Sequence, residues 1–442
     1  MTEPSRGNPA LEDATPFKKR RLLLQTCALG SVIPLTLLLP QRSDAKPKPL
    51  RIGVTGPFSG PVAKTGRAMR QGIEMALEDA RSAGELPVEI NGEPRAIEFL
   101  WLDNQSDPEI AVRLVTDAIR REGIELLLGG WHSSVALALM DAEAPYRIMH
   151  LAHLAESQYI SHQLNQNFER YRGWFKGWPS SSSLAALYGE PLKAFQQQQL
   201  WRPANNRVGI MVEDTAYGRG WGEALRESLT AAGFDPLPYD LTALDQTDFG
   251  PLLDRYLAAN VSLVAMTTTS NTAASHFVRQ FQQSGVKALL LAHGLRWSSD
   301  WYTQTGNASD YVIAMDDAMP IALWQRWWIR RFRIRYKEMP SIAAAGFHYD
   351  YTRMAIRLLN NTGTLDFDTL TQALYRMSYK GVWHRYQFAR ESGPQALSPN
   401  EVMTGGFMEG FFFPMVQLYN GEARIIWPPK YADQHFQQPP WL

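Results

Sequence analysis

The sequence predicts an α/β protein of two doubly wound lobes in tandem. Short apolar runs alternate with segments of helical period from Arg51 onward; the alternation breaks at Gly177, Pro179 and the serines 180–183, then starts afresh at Arg207. With 442 residues, 45% of them hydrophobic, the chain can bury the cores of two or three domains.

In the first lobe, Arg51 to Val54 reads as a strand, and Met69, Ile73, Ala76, Leu77 and Ala80 recur at helical spacing after it. Ala96 to Leu102 is the next strand. Asp107 and Pro108 supply an N-cap and a first-turn proline for a helix running to about Glu122. A strand beginning at Ile124 ends in Leu126-Leu127-Leu128; Gly129-Gly130 turns the chain, and Trp131-His132-Ser133-Ser134 starts a helix. Two readings of that start stand side by side: a plain N-cap at Ser133 or Ser134, or exposed N–H groups and hydroxyls that hold a carboxylate or another anion. Arg147 to Leu151 closes the lobe as a strand, and Trp174 to Ser183 is the crossing.

In the second lobe the strands are Arg207 to Val212, Phe234 to Tyr239, Ser262 to Thr267 and Ala288 to His293, with helices ending at Ala232, following Asp248 and ending at Ser284. Tyr311 to Met315 is a return strand. On the helix from Leu323 to Lys337, Trp324, Trp328 and Phe332 recur at i, i+4 and i+8, and Arg326, Arg330, Arg333 and Lys337 take another face. Basic residues interleaved with aromatics can mark nucleic-acid or membrane contact, but an ordinary amphipathic helix with a solvated basic side explains the pattern and is the reading taken. A helix from Phe347 to Asn360 and apolar runs at Phe411 to Leu418 and Ile425 to Trp427 complete the chain.

Tandem lobes put a cleft between them, and in open sheets ligands sit beyond the carboxyl ends of the strands. The informative residues are therefore Pro57 to Gly60 with Ser59, Asp103-Asn104, Trp131 to Ser134, Ala152 to Glu156 with His153, Leu154 and Ala155, Glu213 to Tyr217, Thr267 to Asn271, and His293 to Trp297.

Lysine plus arginine equals aspartate plus glutamate at 44 each, so net charge points to neither nucleic acid nor an anionic membrane. The amino terminus reads as a targeting segment: Lys18-Lys19-Arg20-Arg21, an apolar run from Leu22 to Pro40, and small residues that place cleavage after Ala45. Arg20-Arg21 also fits a twin-arginine signal, and an uncleaved anchor is the alternative fate of the run. The one cysteine, Cys27, falls inside it, so the mature chain carries no disulfide and no cysteine metal site.

Enzymatic chemistry finds little support. Ser133 beside His132 lacks a Gly-x-Ser-x-Gly elbow, and the glycine turns lack the nucleotide-binding spacings. His132, His150, His153 and His293 at strand ends read as packing or polar ligand contacts ahead of a metal site. No cofactor is expected.

Taken in order, several motifs resemble the type I periplasmic ligand-binding proteins of branched-chain amino acid ABC transporters. They are Ile52 to Gly60 with its Pro-x-Ser-Gly turn, Gln71-Gly72, Asp103 to Pro108, Gly129 to Ser134, Asp214 to Gly218, Phe413 to Gln417 and Ile426 to Pro429. The resemblance covers about Leu50 to Tyr431. It implies two Rossmann-like lobes joined by a multi-strand hinge, a signal peptide over 1–45, an N-terminal lobe of 46–176 and 316–405, and a C-terminal lobe of 177–315 and 406–442. It also implies ligand contacts from Ser133 and Ser134, with Tyr217 covering the ligand from the second lobe. Where leucine/isoleucine/valine-binding relatives hold the ammonium with a threonine and a glutamate, this chain has Ala155 and His293, with Glu156 next along. A neutral imidazole cannot act as counterion to an ammonium, which argues against a simple zwitterionic amino acid.

The expected function is a non-enzymatic periplasmic solute receptor, monomeric, that closes over a small polar solute and serves ABC permease subunits. Ser133-Ser134 would bind first, and Glu213 and Tyr217 would engage on closure, with Trp131, Trp297, Thr267 and His293 nearby. The alternative is a sensor domain relaying lobe closure to a signalling partner.

Overall fold

The computed structural model describes residues 48–60 and 62–442. The targeting segment, its cleavage point and Cys27 lie outside those residues. Two sheets organise the described chain.

The first lobe runs β1 (Leu50–Gly56), α1 (Ala63–Ser82), the hairpin β2 (Val88–Ile90) and β3 (Glu93–Arg95), β4 (Ile97–Asp103), α2 (Pro108–Asp117), β5 (Leu126–Leu128), α3 (Ser133–Glu143), β6 (His150–His153), α4 (Gln158–Gln166), α5 (Phe168–Tyr171) and β7 (Trp174–Lys176). Its sheet is parallel in the order β4-β1-β5-β6-β7. Helices cover both faces, which is why β5 is three leucines with no exposed side chain. Asp107 caps α2 as the sequence predicts, its side chain accepting from the Ile110 N–H. Gly72 lets α1 meet the 342–346 segment, because a Cβ there would overlap the Ala345 carbonyl.

The second lobe runs α6 (Ser181–Ala185), α7 (Gly189–Gln197), β8 (Arg207–Glu213), α8 (Ala216–Ala231), β9 (Asp235–Pro236), β10 (Asp240–Thr242), α9 (Gly250–Ala258), β11 (Leu263–Thr267), α10 (Asn271–Gln283), β12 (Leu289–His293), α11 (Trp301–Thr305) and β13 (Ile313–Ala314). The chain then returns with α12 (Leu323–Tyr336), α13 (Phe347–Thr362), α14 (Phe367–Arg376) and the hairpin β14 (Tyr379–Lys380) and β15 (Arg385–Tyr386). It finishes with β16 (Met415–Tyr419) and β17 (Glu422–Trp427). The second sheet orders β10-β8-β11-β12-β13-β16-β17, with β16 and β17 antiparallel. α12 and α13 go back to the first lobe, where α13 packs on α1 and Arg331 pairs with Asp79.

Four expectations need correction. Trp174 to Lys176 belongs to the first sheet, so the crossing starts only at Gly177. The strand read at Phe234 to Tyr239 is a two-residue bridge, with pairing resumed at Asp240, because Pro236 and Pro238 have no N–H for a ladder. The strand read at Arg147 to Leu151 starts at His150, Arg147 having φ 50° in the left-handed region. Finally, α12 is not simply basic outside: Leu323, Trp327 and Ile334 are well exposed.

The start of the crossing holds a buried ion pair. Lys176 and Glu401 are both fully buried, 3.9 Å apart, and Lys176 Nζ also donates to the Trp178 carbonyl. Glu401 accepts from the Ser180 N–H at 2.6 Å and from Ser161 Oγ at 2.8 Å. Burial lowers the Lys176 pKa to about 8 against the pull of Glu401. The pair joins the crossing at Ser180 to the bridge that residue 401 makes with β7.

Candidate functional site

The turn after β5 is built from glycine. Gly129 and Gly130 take φ 78° and 130°, and a Cβ on Gly130 would overlap the His153 ring. His150 and His153 are three residues apart, which would put them on opposite faces of a regular strand. A bulge at Ala152 (φ 63°) brings both onto Trp174, at ring distances of 4.3 and 5.2 Å. His150 Nδ1 faces the Glu143 carboxylate at 3.0 Å and Nε2 faces the Gly129 carbonyl at 2.7 Å, so the imidazole props the turn from below.

α3 starts at Ser133, with His132 as the cap residue and no side-chain cap bond, which sets aside the plain N-cap reading. Ser133 Oγ accepts the Ser157 N–H at 3.2 Å and keeps its own proton to donate. No hydrogen bond joins it to His132, whose Nε2 is buried without a partner among the described residues, as are those of His153 and His348. Burial lowers the pKa of His132 and of His348 to about 4 and that of His153 well below its usual value, so these rings are neutral. Among the described residues no group of three or more histidine, cysteine, aspartate or glutamate side chains has metal-holding geometry.

Where the lobes meet, Glu156 from the loop after β6 faces the second lobe. Its carboxylate accepts from Trp221 Nε1 at 2.6 Å and lies 3.2 Å from His293 Nε2, all three buried. The His293 ring packs tilted against Trp221 with centroids 4.2 Å apart, and its Nδ1 lies 3.3 Å from the Tyr188 hydroxyl. A carboxylate, that of Glu156, thus stands 3.2 Å from the imidazole of His293, reaching it from the opposite lobe. Aromatic rings surround this contact: Trp131 lies edge-on to Trp297 at 5.5 Å, Trp178 is 6.1 Å from Trp297, and Tyr217 is 6.0 Å from it. Further contacts between the lobes run from Tyr159 to Glu223 at 2.6 Å, from Ser157 to the Ala216 carbonyl at 2.9 Å and from Lys64 to Asp300 at 2.5 Å. The lobes are closed on one another.

Of the residues read from the sequence, Trp131, Glu156, Tyr217 and His293 gather at this contact. Leu154 and Ala155 are buried beside Glu156, and Ser134 is half-buried on the first turn of α3. Thr267 is fully buried and shares a hydrogen bond with the Tyr217 hydroxyl, which orients that ring. Two residues do other work. Ser59 is exposed, and its N–H donates to Asp103 Oδ1 at 3.1 Å, fixing the turn after β1. Glu213 accepts from Thr215, Thr268 and Thr269 and holds its own lobe together, its pKa raised by burial in spite of those donors.

Sequence reasoning passed over Trp178, Tyr188 and Trp221. Trp221 follows Tyr217 by one helical turn, a spacing that places both on one face of α8. An open surface hollow of about 760 Å³ between α7 and α8 contains none of the candidate ligand contacts read from the sequence.

The family model for periplasmic binding protein matches residues 49–399. A Leu/Ile/Val-binding protein homolog of Brucella melitensis is 23% identical over 59% of this chain and 65% of its own length. A Leu/Ile/Val-binding protein of Rhizobium johnstonii is 25% identical over 49% and 53%. The chain thus matches less than two thirds of either relative. Among solved structures, a Silicibacter pomeroyi protein assigned to branched-chain amino acid ABC transport is similar with a TM-score of 0.75 at 19% identity, covering 89% of this chain and all of that one (100%). A solute binding protein of an ABC transporter from Rhodopseudomonas palustris, in complex with 3,4-dihydroxybenzoic acid, gives 0.68 at 17% identity over 85% and 95%.

Proposed function

The chain belongs to the periplasmic binding protein family, and on that premise we propose that it is the solute-binding component of an ABC transporter. It closes two lobes over a small solute and presents the closed form to permease subunits. The lobes are divided as 46–176 with 316–405 and 177–315 with 406–442, and the protein works as a monomer in the periplasm after export by its amino-terminal segment.

The observation that carries this reading is the position of Glu156, buried between the lobes against Trp221 and His293 and ringed by Trp131, Trp297, Tyr217 and Tyr188. A buried carboxylate suits an N–H-bearing or cationic end, and flat rings suit an apolar or planar body. The start of α3, with the Ser133 hydroxyl and the first-turn N–H groups, suits an anionic end. Relatives named for leucine, isoleucine and valine, and a fold neighbour holding an aromatic acid, support an amino acid or aromatic acid derivative. Opening of the lobes exposes these groups and closure buries them with the solute.

A thermal-shift screen of amino acids, amides and aromatic acids, with mass spectrometry for a carried ligand, tests the proposal. A solute at a hundred times its dissociation constant stabilises the fold by about 2.7 kcal/mol. A hit that weakens on Glu156→Gln and is not turned over supports it. Silence across the panel, with no carried molecule, counts against it.

A further inference from the structure

One face of α12 is turned to solvent with apolar side chains in line. Leu323 is 79% exposed, Trp327 63% and Ile334 60%, at positions that share one stripe of a helix. Trp324 extends the patch, with Lys380 Nζ 5.2 Å over its ring and Phe407 beside it. The core needs none of these, because the opposite face buries Gln325, Trp328 and Phe332.

The same helix carries Arg326, Arg330, Arg331, Arg333 and Arg335 and no acidic residue. Arg331 and Arg335 pair with Asp79 and Glu78 of α1. Arg326, Arg330, Arg333 and the following Lys337 are exposed, with no ion pair among the described residues. In a chain of zero net charge this is a local excess of cations alongside an apolar row.

We propose that this face of α12 docks the protein onto an anionic lipid surface. Leu323, Trp327 and Ile334 enter the headgroup boundary while Arg326, Arg330, Arg333 and Lys337 meet lipid phosphates. Charge complementarity selects this occupant: tryptophan and aliphatic side chains flanked by unpaired cations match the layered chemistry of a bilayer interface. Attachment is peripheral, since no described helix is long and apolar enough to cross a membrane.

The test uses the exported protein as recovered from the periplasm, sedimented with vesicles of pure phosphatidylcholine or of phosphatidylcholine mixed with phosphatidylglycerol. Binding to the anionic vesicles is expected to be about tenfold stronger and to fall with salt. Trp327→Ser, and Arg330→Glu with Arg333→Glu, are each expected to abolish most of that gain while leaving the melting temperature unchanged. Any retained leader adds the same background to every variant. Equal binding to both vesicle types, or variants that bind like the parent, would overturn the proposal. So would loss of permease capture in detergent on the same substitutions without vesicle binding, which would give the face to a protein partner.

Discussion

Glu156 of the first lobe and His293 of the second stand 3.2 Å apart, and the Trp221 indole completes the contact at 2.6 Å from the same carboxylate. The first prediction rests on the charge of Glu156. Replacement by glutamine keeps the shape and removes the counterion, so affinity for a solute with a cationic end should fall by about 1.5–3 kcal/mol, while one with a neutral end is little affected. Isothermal titration of both kinds of solute measures the difference; equal losses would remove Glu156 from ligand recognition.

Gly130 has φ 130° and no room for a Cβ beside His153, whereas Gly84 has φ 70° and nothing within 4 Å of that position. Gly130→Ala should destabilise by about 3 kcal/mol or more, from backbone strain and displacement of a packed ring together. Gly84→Ala should cost only about 1 kcal/mol, the backbone term alone. Urea denaturation of the pair separates the two contributions.

Asp317 follows Asp316 after β13, buried, and burial with the neighbouring carboxylate raises its pKa to about 8 despite Arg296. Between the ordinary carboxylate range and pH 8 the folded state keeps a proton that the unfolded chain gives up. Its contribution is therefore complete at acid pH and is lost as pH rises through that window. Asp317→Asn mimics the protonated form. The stability of the wild type relative to this variant should decline from pH 5 to pH 8, by up to about 1.4 kcal/mol per unit. Melting curves at stepped pH test this, and a constant difference between the two proteins would contradict it.

Glu401→Ala leaves Lys176 buried without its carboxylate and the Ser180 N–H without its acceptor. A loss of roughly 3–5 kcal/mol is expected. Restoring apolar packing with Lys176→Met in the same chain should recover part of it, as read by denaturant midpoints.

The fold was legible wherever burial produced a continuous apolar run. Leu126 to Leu128 and Leu263 to Thr267 are buried throughout and stand out as strands. β7 was hidden because it is three residues long and contains a lysine whose counterion, Glu401, lies far along the chain. In the cleft, strand-end positions pointed to Glu156, Tyr217 and His293, since the parallel topology brings those ends together. The same rule selected Glu213 and Ser59, whose neighbours Thr215, Thr269 and Asp103 engage them inside one lobe. Trp178 lies on the crossing and Tyr188 in the short turn between α6 and α7, where no period marks a position as facing the other lobe.

The carboxylate at Glu156 and the helix start at Ser133 sit on the same wall, joined by the bond between Ser157 and Ser133. On the proposed function, a solute meeting the open protein would find both groups without waiting for closure, and its association rate would be set by the first lobe. His293, Trp221 and Tyr217 would act afterwards, as a cover whose lifetime fixes residence time. On that reading, substitutions in the second lobe should speed escape and leave capture untouched, so delivery could be tuned without altering how fast solute is collected.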